Sequence, residues 1–329
     1  MRVVAVLFVS CFLQLFRTSA SLQQHNGNSV QNGYFYRNSQ AEAIAMEAML
    51  AEVLNEPPNG IVEYGLTEFT NRSNLGCRKT ARKVDLPERL ETLTDSKRPL
   101  PQHFDWRNYS VVSPVRDQGK CGRCWAWATV ENIEGVRAVK TGNLTQLSVQ
   151  QVVDCDYLDQ GAKAVILSMR SGKFTPFRPP TFTISSLIKK WGGLEAERDY
   201  KYEGITGKCR MNSSLAVVRI DGYVALSRNE QVIARYLMKH GPLAADINAT
   251  RLFSYKRGII MPDERWCSYK YINHEVLIVG FGTEQDVPYW IVKNSWGKKF
   301  GEDGYFRIKR GVNACGIEYN VVSVTMDSA

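Results

Sequence analysis

One cysteine of this chain is placed for nucleophilic chemistry. Cys124 stands at the start of a helical pattern, preceded by Gly122 and followed by Trp125. Backbone N–H groups and the helix dipole favour an anion at such a terminus, so a thiol there ionises more readily than a free one. A thiolate also needs a proton partner, and the chain has only four histidines. His25 lies in a polar leader, His103 at a Pro-rich junction, and His240 before a Gly-Pro turn. His274 opens an apolar run 150 residues after Cys124, and Asn294 follows it by 20 within Lys293-Asn294-Ser295-Trp296-Gly297. Nucleophile, base and a side chain able to orient the base make up the triad logic of covalent catalysis.

These groups need elements to hold them. Residues 124–140 carry Ala126, Val130, Ile133 and Val136 at helical spacing, and Gly142 ends the pattern. A second helix is expected over 182–190, ended by Gly192-Gly193. Residues 275–280, 289–293 and 305–309 are short apolar or alternating runs bounded by Gly, Pro and Asn, as antiparallel strands are. A helix-weighted first half and a strand-weighted second half predict two subdomains with a cleft between them. Upstream, residues 21–40 are polar, 41–54 form a helix candidate ended by Pro57-Pro58, and 61–70 read as a short strand-like piece.

The N-terminus reads as a targeting segment. Arg2, the apolar run Val3 to Phe16 and the small residues Thr18-Ser19-Ala20 match a cleavable signal peptide over 1–20; the run is short for a membrane anchor. Sequons at Asn71, Asn108, Asn143, Asn212 and Asn248 fit passage through the secretory pathway, where disulfides form. Whether the destination is extracellular or lysosomal is open. The formal charge of +9 comes from scattered Lys and Arg, with no basic block, so a solvated surface explains it better than nucleic-acid binding. No later stretch is apolar enough to span a bilayer.

With Cys11 and Cys77 in segments expected to be removed, six cysteines remain: Cys121, Cys124, Cys155, Cys209, Cys267 and Cys315. An even number permits three disulfides. Cys121-Gly122-Arg123-Cys124 taken alone also fits a thiol–disulfide redox motif, but that leaves His274 and Asn294 without a role. Zinc is a weaker reading still, because no second closely spaced ligand pair exists. No metal or cofactor is expected.

Gln118-Gly119-Lys120-Cys121-Gly122-Arg123-Cys124-Trp125-Ala126-Trp127 resembles the active-site segment of the papain-like cysteine proteases. Asn273-His274 with the apolar run after it resembles the family's histidine strand, and Lys293 to Gly297 its asparagine segment. The resemblance runs from about Leu100 to the C-terminus and is nearest to the cathepsin F and cathepsin L types. It implies an α+β papain-like fold: a helical domain and an antiparallel β-barrel domain with the active-site cleft between them. The implied catalytic domain is 100–329, helical over about 110–210 and β-rich over about 211–320. Residues 21–99 are then a shortened propeptide that inhibits the enzyme, with Tyr64 to Thr70 resembling a propeptide segment.

The resemblance implies an endopeptidase made as a zymogen, with Cys124, His274 and Asn294 catalytic. It implies Gln118 as oxyanion donor and Trp296 as a shield over the Asn–His hydrogen bond. It also implies disulfides Cys155–Cys209 and Cys267–Cys315, protein or peptide substrates, cystatin-type inhibitors and a monomer. Two departures stand out. The family's Cys-x-Gly-Gly motif after Cys155 is missing, which leaves Cys121 unpaired and puts residues 157–181 in its place. That segment either reshapes the non-primed side of the cleft or hangs clear of it. Glu275 stands where the family has a small residue lining the second subsite; it either selects a basic side chain or turns to solvent. The alternative function is a papain fold, altered at 157–181, that binds a partner without turnover.

Overall fold

The computed structural model describes residues 48, 51–52, 60–70, 99–119, 122–156 and 181–326. The helix that begins at the candidate nucleophile is α1 (Cys124–Thr141), and its sequence supports it: no proline interrupts it, and Gly142 closes it at φ 69°, donating to Ala138 O at 2.9 Å. Both ends of this reading match the expected helix over 124–140. α1 is buried on almost every side, which explains its weak amphipathicity. Gly135 permits this: a Cβ there would lie 2.7 Å from Pro242 Cδ. Asn132 pins the helix further, donating to Pro242 O at 2.7 Å and accepting from Val324 N at 2.9 Å.

Two further helices flank α1. α2 (Val149–Cys155) begins at Ser148, whose Oγ accepts from Gln151 N at 2.9 Å. α3 (Thr181–Trp191) contains the expected 182–190 helix. Trp125, Val130, Ile133, Val152, Ile184 and Ile188 bury one common core. Val324 and Met326, from the far end of the chain, join it. A fourth helix, α4 (Glu230–His240), is capped by Asn229 Oδ1, which accepts from Gln231 N and Val232 N.

The strands are β1 (Val62–Tyr64), β2 (Phe104–Asp105), β3 (Leu194–Glu195), β4 (Ala216–Val218), β5 (Gly222–Ala225), β6 (Leu243–Ile247), β7 (Tyr255–Ile260), β8 (His274–Glu284), β9 (Val287–Lys293), β10 (Tyr305–Lys309) and β11 (Val321–Thr325). Nine form one sheet in the order β1-β7-β10-β9-β8-β6-β11-β5, with β2 paired to β8. The expected helical part and antiparallel part are both present; the strand-rich part does not close into a barrel. Closure would require the two edge strands to pair. Instead β5 and β1 end the path, β1 occupies the free side of β7, and β10 runs parallel to β7. The sheet is open and mainly antiparallel.

β8 positions the site. Its first nine residues are buried, because α1 packs on it and β6 and β9 flank it. Such a strand reads as a continuous apolar run, which is why it was legible. Among the described residues no helix is long and apolar enough to cross a membrane.

Candidate active site

Cys124 is the first residue of α1, and its N-cap residue Arg123 gives no side-chain cap. In the first turn Ala126 N–H donates to Arg123 O at 3.0 Å, so the helix closes tightly behind the sulfur. The Glu275 backbone N–H donates to Cys124 Sγ at 3.3 Å. That contact brings the start of β8, and so His274, to the start of α1.

His274 Nε2 lies 2.8 Å from Asn294 Oδ1. The same Oδ1 accepts from Ser295 N at 2.8 Å, which identifies it as the amide oxygen. Nε2 is then the protonated nitrogen, and Nδ1 is the one left to exchange a proton with a reacting group. Trp296 lies over the imidazole with ring centroids 5.0 Å apart. Phe253 stacks on the indole at 5.1 Å and Phe300 meets it edge-on at 5.2 Å. Cys124, His274, Asn294 and Trp296 are all buried.

Gln118 reaches the same place from the other side. Its backbone N–H donates to Ser295 O at 2.8 Å, and Asp117 bridges to Trp296. Its Oε1 accepts from Ser295 Oγ at 2.6 Å, so the amide NH₂ is the end available to an oxyanion. Ser295 thus serves both Asn294 and Gln118. A serine carries no signal of its own in sequence, although Ser295 sits between Asn294 and Trp296, which do.

Among the described residues Cys155 pairs with Cys209 and Cys267 with Cys315, the two pairs that the family resemblance implies. Cys121 and residues 157–180 lie outside the described residues, and so do the expectations attached to them. So do the signal peptide, the polar leader and Asn71.

The remaining singled-out residues fall as follows. His103 precedes β2, and His240 ends α4, stacked on Tyr236 at 4.2 Å; neither joins the site. Trp127 meets Tyr202 edge-on at 4.7 Å under the Arg116 guanidinium. Arg123, beside the nucleophile, donates to Thr206 Oγ1 at 3.2 Å. Asn108, Asn143 and Asn212 are exposed. Asn248 is not: it is buried, its Nδ2 donates to Ser268 O at 3.0 Å, and a glycan has no room there. Among the described residues no group of three or more His, Cys, Asp or Glu side chains is placed to hold a metal ion.

Residues before 100 contact this site directly. β1 pairs with β7, placing Glu63 opposite Arg257, 2.7 Å from its Nε. Thr67 Oγ1 donates to Phe253 O at 2.6 Å, and Phe69 stacks on Trp296 at 5.8 Å. Glu52 accepts from Trp266 Nε1 at 2.9 Å and pairs with Arg265.

A family model described as papain family cysteine protease matches residues 100–325. The chain is 35% identical over 290 residues to cathepsin F of Drosophila melanogaster, covering 84% of this chain and 45% of that protein. It is 34% identical over 284 residues to the viral cathepsin of Autographa californica nuclear polyhedrosis virus, covering 84% and 82%. The chain thus spans about half the length of the cathepsin F relatives it matches, 45% in the fly and 57% in the mouse. Digestive procathepsin L 3 from the larval midgut of Tenebrio molitor superposes with a TM-score of 0.69 at 28% identity, covering 96% of this chain and 99% of that one. Bromelain from Ananas comosus, solved with the inhibitor E64, gives 0.59 at 31% identity, covering 69% and 100%.

Proposed function

The chain belongs to the papain family of cysteine proteases, and from that premise we propose that it is a cysteine-type endopeptidase made as a zymogen. The observation that carries the reading is His274 Nε2 fixed on Asn294 Oδ1 at 2.8 Å, with the next residue's N–H on Cys124 Sγ.

In the reduced protein Cys124 is the thiolate and His274 the imidazolium, a charge pair favoured by the helix terminus. The sulfur attacks the peptide carbonyl carbon, and the carbonyl electrons move to oxygen. The Gln118 amide and the Cys124 backbone N–H stabilise that oxyanion. As it collapses, the C–N bond breaks and His274 Nδ1 gives its proton to the departing amine, leaving a thioester on Cys124. Water then attacks the thioester carbonyl while the imidazole takes one of its protons. The acid product leaves, and the thiolate and imidazolium return. Asn294 keeps the ring oriented throughout, and Trp296 keeps water from their hydrogen bond.

The residues before 100 act as the inhibitory pro-segment. Phe69 on Trp296 and β1 on β7 support that role, as does the likeness to procathepsin structures. Residues 1–20 direct the chain into the secretory pathway, to an extracellular or lysosomal site; two disulfides and the exposed sequons support this. Glu275 contributes to substrate binding. No observation favours a fold that only binds.

The test is covalent labelling. After acid activation and thiol reduction, a peptidyl epoxide should add one equivalent, mapped by mass spectrometry to Cys124. Labelling spread over several cysteines, or none at Cys124, would defeat the reading.

A further inference from the structure

β1 fills an edge that belongs to β7. The two pair antiparallel, with Val62 opposite Gly258 and Glu63 opposite Arg257. Backbone bonds close both ends of the pairing: Ile259 N donates to Ile61 O at 2.8 Å, and Gly65 N to Ser254 O at 2.8 Å. β10 already occupies the other side of β7. Cutting away the residues before 100 therefore leaves β7 as an edge strand, with backbone groups that an incoming strand can pair. One residue of β7 is suited to that approach. Gly258 has φ 97°, and a Cβ there would lie 2.2 Å from Ile61 O and 2.7 Å from Val62 Cα. Glycine is what lets a second backbone come so close.

The side chains along this edge are basic, and the segment covering it is acidic where it touches them. Arg257 Nε lies 2.7 Å from Glu63 Oε2, and Lys256 Nζ 3.7 Å from Oε1 of the same carboxylate. Glu52, eleven residues earlier, pairs with Arg265 Nη1 at 2.8 Å and accepts from Trp266 Nε1 at 2.9 Å. Even with the segment in place the Arg257 side chain is 76% exposed and that of Arg265 68%. Both guanidiniums lose these carboxylate partners when the segment leaves.

We propose that the matured enzyme uses this place as a docking strip for an extended acidic segment of another protein. β7 pairs the backbone of that segment, Lys256 and Arg257 take one carboxylate, and Arg265 with Trp266 takes a second. This rests on the reading of the residues before 100 as a removable pro-segment and goes beyond it, since the occupant is a partner. Charge complementarity sets its sign. The backbone pairing makes it a peptide, because an anionic polysaccharide has no ladder of N–H and C=O groups to offer β7.

The activated enzyme, its cleft blocked by the peptidyl epoxide, and the intact zymogen would each be titrated with a labelled peptide of alternating glutamate and threonine. The comparisons are the glutamine–threonine peptide, the acidic peptide with N-methylated backbone amides, and heparin. The acidic peptide should bind the activated enzyme at least about tenfold more tightly than the zymogen, whose β7 edge is filled. Glutamine in place of glutamate should weaken binding several-fold, as should N-methylation. Arg257→Glu should weaken it too while leaving the hydrolysis of small peptides unchanged. Equal binding to zymogen and activated enzyme would overturn the strip, and so would equal binding of the glutamate and glutamine peptides. Heparin binding together with indifference to N-methylation would also overturn it, since such a surface reads charge alone. If Cys124 takes no label, the peptidase reading fails by itself, and the same titration on the trimmed chain still decides the strip.

Discussion

Lys293 Nζ lies 2.8 Å from Glu131 Oε1, and neither side chain reaches solvent appreciably. The pair joins the strand that delivers Asn294 to the helix that delivers Cys124, across 162 residues of sequence. Ser113 Oγ accepts from Lys293 at 3.1 Å and donates to Glu134. Arg116 completes the group at 2.9 Å from Glu134. Burial opposes the charge on Arg116, but Glu134 and Glu131 more than offset it and raise its pKa. Two of the groups proposed to be catalytic, Cys124 and Asn294, thus sit on elements tied together by a set of buried charges.

Removing one member of that pair should be expensive. Lys293→Met would leave Glu131 buried beside a methyl group. Glu131 would keep only its longer contact to Arg116 at 3.5 Å, so the expected loss is up to about 3–5 kcal/mol, the cost of breaking a buried pair by removing one partner. Denaturant unfolding of the zymogen measures it. An unchanged midpoint would show that water reaches Glu131.

Gln118 should matter for rate more than for substrate affinity. Its oxygen accepts from Ser295 Oγ, which turns its amide N–H groups to the opposite end of the side chain, where a developing oxyanion can draw on them. Gln118→Ala is expected to lower kcat about 10²- to 10³-fold with KM changed much less. A loss confined to KM would assign Gln118 to ground-state binding.

In the proposed pro-segment, the contact at Glu63 should respond to pH. The Arg257 hydrogen bond and charge, with Lys256 adding less, hold the Glu63 carboxyl below its ordinary value of 4.5. A depressed carboxylate adds to docking above the free-carboxyl value and loses that contribution as pH falls through the bound value. Latency should therefore weaken below about pH 4.5. Glu63→Gln, which lacks this contribution at every pH, should release activity at a higher pH than the parent. The group is exposed, so the displacement will be small. Identical activation profiles would remove Glu63 from the account.

Much of the site was readable because its residues carry strong local signals. A cysteine opening a helix, a histidine opening a buried strand and an asparagine beside a tryptophan each stand out alone. α1 and β8 were readable because continuous apolar runs mark buried elements. α2 and α4 were missed although Ser148 and Asn229 cap them; α2 is only two turns long and its polar residues are buried, whereas α4 carries an amphipathic pattern and a cap from which it could have been found. The barrel expectation came from family resemblance and missed that β1, from the segment before 100, takes the edge of β7. Asn248 satisfies the sequon pattern, which says nothing of burial. Lys293 with Glu131, and Glu63 with Arg257, are contacts between distant segments that no local pattern announces.

The central claim is that Cys124 acts as a peptidase nucleophile, and hydrolysis tests it most directly. The zymogen would be incubated with reductant at acid pH and given a fluorogenic peptide library, beside a Cys124→Ala chain treated alike. The account predicts turnover in the parent and loss of at least about 10²-fold in the variant. Equal turnover by the two, or none from a folded and pro-segment-free parent, would contradict it.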